Sequence, residues 1–535
     1  MSSLRAAVDS GLLFDIMFPL LCVAYAVTPV ALAACPNILR IGKSRLVVAA
    51  VGFSAAVAVA QYVWWTVQYL ALPVYFDHAE PTVAVMSALT LQGRQIYPSW
   101  QGGEGIYGTV YGPALLLIQA GALLVGRSIL ATKIAGVVAS WAALLVWSIE
   151  VWHLTRDFLL TYVGVGLAFL FLLPQGYFVY WNRPEPFLLL VTALSLPALR
   201  LPRFQAAVAS GVLAGIAFGL KPYAVLLLAP VMLRLALRET SVGEALRIGA
   251  LSTLSMLVLA GAPFLLPNVS LWGYIARLKI VAQQGLLLPG LRTNMMLLTA
   301  MIAPAAAIYF FRRPRWSREI KGYALALMAS IVVVGVFGAK NGAGSYYLLP
   351  FLPLAIHLAI EAADMTRHRD ARATTLRGTA VWLFVAYLCF WGPFALAQNS
   401  AMNRALANTS DAGMAIRELD EIYADYPQAE MGVSDLANYR WTYYRVVGAL
   451  RGSDVRFEVP FLMDLRAAGV EDAGTTRLVE GCHVPQWILP AHGSPFAIVS
   501  LFEPVSPIFT DRFRRVFAEN YRIVFRGRYY TVWSC

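Results

Sequence analysis

The sequence predicts an α-helical polytopic membrane protein, a bundle of about a dozen spans followed by a water-exposed C-terminal α/β domain. Three observations predict it. The 535 residues are 59% hydrophobic and only 13% charged, whereas soluble globular chains carry about 25% charged residues. The apolar residues fall into runs near the roughly 20 residues that a bilayer-crossing helix needs. The Lys and Arg residues, which bring the net charge to +12, sit in short clusters between those runs, as they do in the cytoplasmic loops of membrane proteins. That clustering excludes the nucleic-acid partner that a basic chain otherwise suggests.

The candidate spans are 11–34, 47–72, 130–152, 157–178, 186–200, 206–220, 222–238, 248–267, 293–311, 322–339, 346–363 and 378–398. Leu32-Ala33-Ala34-Cys35 resembles a lipoprotein processing site. However, Arg40, Lys43 and Arg45 follow at once and resist export, so 11–34 reads as a retained helix. The apolar segment 114–126 is too short to cross comfortably and reads as a helix lying at the outer interface. With that segment outside the bilayer, the basic clusters share one face: Arg40 to Arg45, His153 with Arg156, Arg200 with Arg203, Arg234 with Arg238, Arg312 to Lys321, and Arg367 to Arg377. The positive-inside rule makes this the cytoplasmic face. The outer face then collects residues 75–128, the turn at 179–186, Lys221, the loop 268–292, the turn at 340–346 and the tail. The bundle therefore spans 1–398, with its first outer loop at 73–128, and the outer domain spans 399–535. Within the tail, 412–424 reads as helix, and 455–459, 496–502 and 521–533 read as strands. Cys22, Cys35 and Cys389 lie in or beside apolar runs and read as packing residues. Cys482 and Cys535 sit in the polar tail, where a periplasmic location permits a disulfide.

Four features on the outer face carry chemistry. Tyr75-Phe76-Asp77-His78-Ala79-Glu80-Pro81 places two carboxylates three residues apart where a span ends. Pro81 suits a first helical turn, so both acids flank a helix N-terminus. Capping explains them locally, and a general base at an aromatic, poorly solvated interface is the functional reading. Tyr180-Trp181-Asn182-Arg183-Pro184-Glu185-Pro186 joins a cation to a carboxylate; taken alone, it is better explained as an interfacial anchor. Lys221 interrupts an apolar stretch and fits either a snorkelling helix end or a phosphate contact. Lys340-Asn341-Gly342-Ala343-Gly344-Ser345-Tyr346-Tyr347 offers a Lys and backbone N–H groups to an anion, or serves as a flexible connector. The chain has no Walker motif, no Rossmann glycine fingerprint and no zinc-type Cys/His spacing.

The order of these features resembles the GT-C superfamily of membrane glycosyltransferases, in particular the bacterial relatives of the dolichyl-phosphate-mannose protein mannosyltransferase and aminoarabinose transferase group. The matching residues are Asp77 and Glu80, Gly93 with Ile96-Tyr97, Tyr111-Gly112-Pro113, Gly126, Arg183-Pro184-Glu185, the series Gly211, Gly215, Gly219 and Lys221, and the turn from Gly344 to Pro350. The match runs in order over about residues 47–360. The family's adjacent acids are here split as Asp-His-Ala-Glu, which leaves the base open between Glu80 and Asp77.

The resemblance implies an inverting glycosyltransferase of the bacterial inner membrane. It would move a hexosyl or pentosyl unit from a polyprenyl-phosphate sugar donor to a hydroxyl of a lipid or glycan acceptor, at a periplasmic active site. The catalytic carboxylate would be Glu80 or Asp77. Lys221, Arg183, Glu185, Lys340, Tyr97, Tyr111 and Tyr346 would contact substrate or phosphate. The resemblance demands no cofactor, and it leaves open a divalent metal, Mg or Mn, on Glu185 and Asp77. The competing readings are a polymerase or ligase of lipid-linked glycans, and a transporter or flippase of a lipid-linked saccharide. The first would favour one very large late loop, and the second would favour mid-helix charges and internal symmetry.

Overall fold

A computed structural model describes residues 45–100, 105–239, 241–312, 316–367, 403, 411–470, 474–501 and 506–535. The expected spans 11–34 and 378–398, and Cys22, Cys35 and Cys389 with them, lie outside these residues. Helices α1 (Arg45–Ala71), α2 (Ala79–Leu91), α3 (Pro113–Val125), α4 (Ile129–Thr155), α5 (Phe158–Leu172) and α6 (Pro184–Ala198) form the first part of the bundle. Helices α7 (Arg203–Leu220), α8 (Ala229–Arg238), α9 (Val242–Gly261), α10 (Leu271–Ala282), α11 (Leu288–Arg312), α12 (Arg318–Phe337) and α13 (Leu352–Arg367) follow among the described residues.

Local chemistry sets the helix starts. Pro113 and Pro184 stand in the first turns of α3 and α6, where a missing N–H costs nothing. The Ser128, Ser270 and Ser317 hydroxyls accept backbone N–H bonds at the starts of α4, α10 and α12.

Among the described residues, five helical segments are long and apolar enough to cross a membrane: 129–155, 203–220, 242–265, 318–337 and 345–362. Only 17% of the most apolar window in 242–265 is buried. Leu254, Leu257 and Val258 on that helix are more than half exposed. A face of that kind is suited to lipid rather than water, and the chain is a membrane protein. The segment 114–126 is the 13-residue helix α3, too short to cross unaided. The expected outer loop 268–292 contains helix α10.

The basic clusters converge with acids from other helices. Arg234 makes a two-pronged bond to Glu361, at 2.7 and 2.6 Å, and Arg238 donates to Glu319 at 2.8 Å. Arg200 pairs with Glu150, and Arg203 lies 3.6 Å from both Glu239 and Glu244.

The C-terminal region contains α14 (Ala412–Asp425), α15 (Val446–Arg451), α16 (Val459–Ala467), α17 (Thr476–Val479) and α18 (Asp511–Asn520). These helices surround a sheet of β1 (Glu430–Met431), β2 (Gln486–Pro490), β3 (Arg522–Arg526) and β4 (Tyr530–Ser534). The strand order is β1-β2-β4-β3, with β1 and β2 parallel and the other pairs antiparallel. Helix 412–424 and the hairpin within 521–533 match the expectations. Two expected strands do not form. At 455–459 the chain makes a single bridge, Phe457 with Ile106, before Pro460 opens α16. At 496–502, Phe496 takes a left-handed φ of 55°, and among the described residues only Val499 bridges, to Pro507. β2 and β4 are the inner strands, and the nearly continuous apolar run of β2 shows no alternation to mark it. Cys482 and Cys535 form a disulfide.

The C-terminal region is bonded to the first loop. The Ile106 N–H donates to the Arg456 carbonyl at 2.8 Å, and the Glu458 N–H donates to the Ile106 carbonyl at 2.9 Å. Arg445 and Glu458 are paired at 2.7 Å, and both reach the hydroxyl of Thr82 on α2.

The Gly211, Gly215 and Gly219 series is a packing stripe. A Cβ on Gly211 would lie 2.2 Å from the Ser252 carbonyl oxygen of α9, and one on Gly215 would lie 2.7 Å from that of Met256. Small residues of this kind let membrane helices approach closely. Gly211→Val should destabilise the protein by about 1–3 kcal/mol, read as a lower thermal midpoint in detergent. Gly249→Ala, on the open side of α9, serves as the control. An unchanged midpoint in Gly211→Val would sink the packing account.

Candidate active site

Six segments far apart in the sequence line one cavity of about 310 Å³. The first loop and the start of α2 give Asp77, His78 and Thr82, and the approach to α3 gives Gly108 to Tyr111. The turn before α6 gives Tyr177, Phe178 and Arg183. The segment after α10 gives Gln284, and the turn before α13 gives Lys340 and Tyr346. Helix α16 of the C-terminal region adds Phe461 and Asp464.

Arg183 is the centre of the arrangement. It stands in extended backbone just before Pro184, where a residue preceding proline is held out of the helical region. Its guanidinium lies 3.9 Å from the centroid of the Trp181 ring. One nitrogen donates to Asp77 at 3.1 Å and another donates to the Tyr346 hydroxyl at 3.0 Å. Asp77 Oδ1 also accepts the Ala79 N–H at 2.6 Å, which ties the carboxylate to the start of α2. Burial raises the Asp77 carboxyl, but Arg183, His78 and the Ala79 N–H outweigh it and hold the group below the ordinary aspartate range. Burial lowers His78, with the Asp77 charge opposing it.

Glu80 is placed differently. It is fully buried and is not part of the cavity wall. Its carboxyl accepts the Tyr69 hydroxyl and, at 2.7 Å, the Phe76 N–H. Burial pushes it above the usual carboxylate range, with Lys133 the chief opposing charge. Its backbone carbonyl accepts from Asn182 at 2.9 Å, and the Asn182 carbonyl accepts from Gln119 at 3.0 Å. Glu80 therefore locks the first loop against the turn that carries Arg183.

Lys221 and Glu185 also lie outside the cavity wall. The Lys221 ammonium donates to Glu185 at 2.5 Å and sits 3.9 Å over the Tyr347 ring. The second Glu185 oxygen accepts the Trp181 indole N–H at 2.8 Å. Lys221 is thus already neutralised rather than free for an anion. Glu185 has both oxygens engaged by donors, and Asp77 faces Arg183. Among the described residues no group of three His, Cys, Asp or Glu side chains comes together. The two carboxylates do not fit a divalent metal site.

Tyr111 lines the cavity, with Arg183 and Lys221 over its ring at 5.4 and 5.3 Å. Tyr97 stands behind it, fully buried, and its hydroxyl donates to the Tyr111 carbonyl at 2.6 Å. Among the described residues the Lys340 ammonium has no ion-pair partner, and it faces the cavity. The contributions of Tyr177, Gln284 and Asp464 escaped the sequence reading. Asp464 had a signal, because it is a lone carboxylate within the otherwise apolar stretch 459–465.

The Glu185–Lys221 pair makes a stability prediction. Breaking a buried pair by truncating one partner typically costs about 3–5 kcal/mol, whereas replacing both partners with apolar residues is often neutral. Glu185→Ala should sharply lower the thermal midpoint, and Glu185→Leu combined with Lys221→Met should recover most of the loss. Equal midpoints for the single and double variants would rule out an unpaired-charge penalty.

No family model matches the chain, and no curated protein matches it. Among solved structures it is similar to ArnT from Cupriavidus metallidurans bound to undecaprenyl phosphate, with a TM-score of 0.53 and 16% identity. It is likewise similar to ArnT from the same organism in the apo state, with a TM-score of 0.51 and 16% identity. Each comparison covers 90% of this chain and 97% of the other. At that identity the likeness is one of fold, and the chain adopts the fold of these ArnT structures.

Proposed function

We propose that the protein is an inverting glycosyltransferase that uses a polyprenyl-phosphate sugar, with Asp77 as the base. One observation carries the reading: the cavity wall holds a carboxylate kept ionised by a guanidinium, and in the same wall stands Lys340, whose ammonium has no ion-pair partner among the described residues. The fold agrees with it, since a structure of the same fold is described as bound to undecaprenyl phosphate. The site would face the periplasm, fed by lipid from the outer leaflet of a bacterial inner membrane. The bundle 1–398 would hold the donor, and the C-terminal domain would close the cavity over it.

In this mechanism the acceptor hydroxyl attacks the anomeric carbon from the side opposite the phosphate. A C–O bond forms to the acceptor while the anomeric C–O bond to phosphate breaks, and its electron pair leaves with the phosphate. The acceptor proton passes to Asp77, whose Oδ2 carries no strong bond, while Oδ1 is held by Ala79 and Arg183. Lys340, Arg183 and the Tyr346 hydroxyl stabilise the charge that develops on the phosphate. Glu80, Glu185, Lys221 and Tyr97 position these groups from behind the wall. Tyr111 supplies the ring on which Arg183 rests.

A positioned general base contributes about 10²–10⁴-fold. Asp77→Asn should therefore lower the release of polyprenyl phosphate from a panel of undecaprenyl-phosphate sugars by that factor. Glu80→Gln, which preserves side-chain shape, should stay within about tenfold of the unmodified protein, because that group does not exchange the proton. The reverse ranking would move the base to Glu80, and no turnover with any donor would remove the glycosyltransferase reading.

A further inference from the structure

The proposed reaction leaves one part of the cavity without a task. Helix α16 runs Val459-Pro460-Phe461-Leu462-Met463-Asp464-Leu465. Phe461, Leu462, Met463 and Leu465 are buried, whereas Asp464 is turned toward the cavity. Its Oδ1 accepts the Gln284 side-chain N–H at 2.7 Å, and Gln284 is itself a buried part of the wall. Among the described residues no ion pair engages Asp464, in contrast with Asp77, Glu185 and Glu458. Burial pushes its carboxyl up to about 7, with the Gln284 hydrogen bond opposing the rise. Fixing a carboxyl in a poorly solvated wall without a cation costs free energy unless a ligand satisfies its remaining lone pairs.

The charges divide the cavity. Lys340 and Arg183 suit an anion. A carboxyl without a cation repels one, and it suits neutral hydroxyl groups, which donate to its oxygens while the neighbouring carboxamide supplies donors and an acceptor. We propose that Asp464 and Gln284 form a subsite that reads the hydroxyl groups of a saccharide, contributed to the cavity by the C-terminal region and the segment after α10. This deepens the glycosyltransferase reading and rests on it for the identity of the reaction. The hydroxyls belong either to the donor sugar or to the acceptor, and the two share this chemistry.

Binding and turnover test it separately. The full chain in detergent is mixed with neutral methyl pyranosides of hexose and pentose type, and with a methyl amino sugar, and saturation transfer is measured by NMR. The structure predicts transfer to the ring protons of at least one neutral glycoside, lost in both Asp464→Leu and Gln284→Leu. Asp464→Asn, which keeps shape and polarity, guards against a folding artefact and should retain part of the signal. Binding of the amino sugar alone, no binding at all, or equal signals in the Leu variants would overturn the subsite.

In turnover, Asp464→Leu should raise one KM by about tenfold or more, equivalent to about 1.4 kcal/mol, with kcat little changed. A raised donor KM assigns the hydroxyls to the donor, and a raised acceptor KM assigns them to the acceptor. Transfer with both KM values unchanged would overturn the subsite and leave the reaction standing. Asp464-dependent glycoside binding without transfer from any donor would do the opposite.

Discussion

A guanidinium taken out of water must be surrounded by acceptors and aromatic faces, or the fold cannot keep it charged. Arg183 meets that constraint by recruiting three segments at once. Asp77 comes from the loop after α1, Trp181 from its own turn, and Tyr346 from the turn before α13. These positions are separated by more than a hundred residues on either side, so the pairing closes the bundle around its cavity. Around this centre stands a second tier of contacts. Glu80 fixes the loop, Glu185 and Lys221 neutralise each other under the aromatic rings, and Tyr97 supports Tyr111 from behind.

Much of this was legible in the sequence, and what was not has a physical reason. Span positions follow from local hydropathy, so α1, α4, α7 and α12 fall close to their expected bounds. The motifs that the sequence assigns to one face do converge, because each lies at a helix end and the helices return to the same side. The difference between Asp77 and Glu80 was not readable. It depends on Tyr69, a residue of the preceding helix that captures Glu80 and turns it inward. Lys221 read as an anion ligand because its partner, Glu185, lies on another helix. The strand expected at 455–459 failed because Pro460 redirects the chain into α16, and the inner strand β2 shows no alternation to betray it.

The C-terminal region is more than an appendage to the bundle. Its bonds to the first loop run through both backbone and side chains, from Ile106 with Arg456 and Glu458 to Thr82 with Arg445. Thr82 stands only five positions beyond Asp77, on the same helical start. The C-terminal region therefore helps set where the carboxylate sits, and it also supplies Phe461 and Asp464 to the wall. Its disulfide ties the end of β4 to the segment before β2 and braces the sheet that backs this contact.

The Asp77–Arg183 pair has a consequence that outlasts its role in holding the loop. A carboxylate that takes up a proton stops neutralising its guanidinium. For as long as Asp77 is protonated, Arg183 is a buried cation short of one counter-charge; what remains around it is the Tyr346 hydroxyl, the Trp181 ring and the charge of Glu185, which Lys221 already engages. The cavity then attracts a dianion more strongly than it did before the proton arrived. In the proposed reaction, proton acceptance and affinity for the departing phosphate would thereby be linked through one side chain, and return of the proton to solvent would loosen the site's hold on that product.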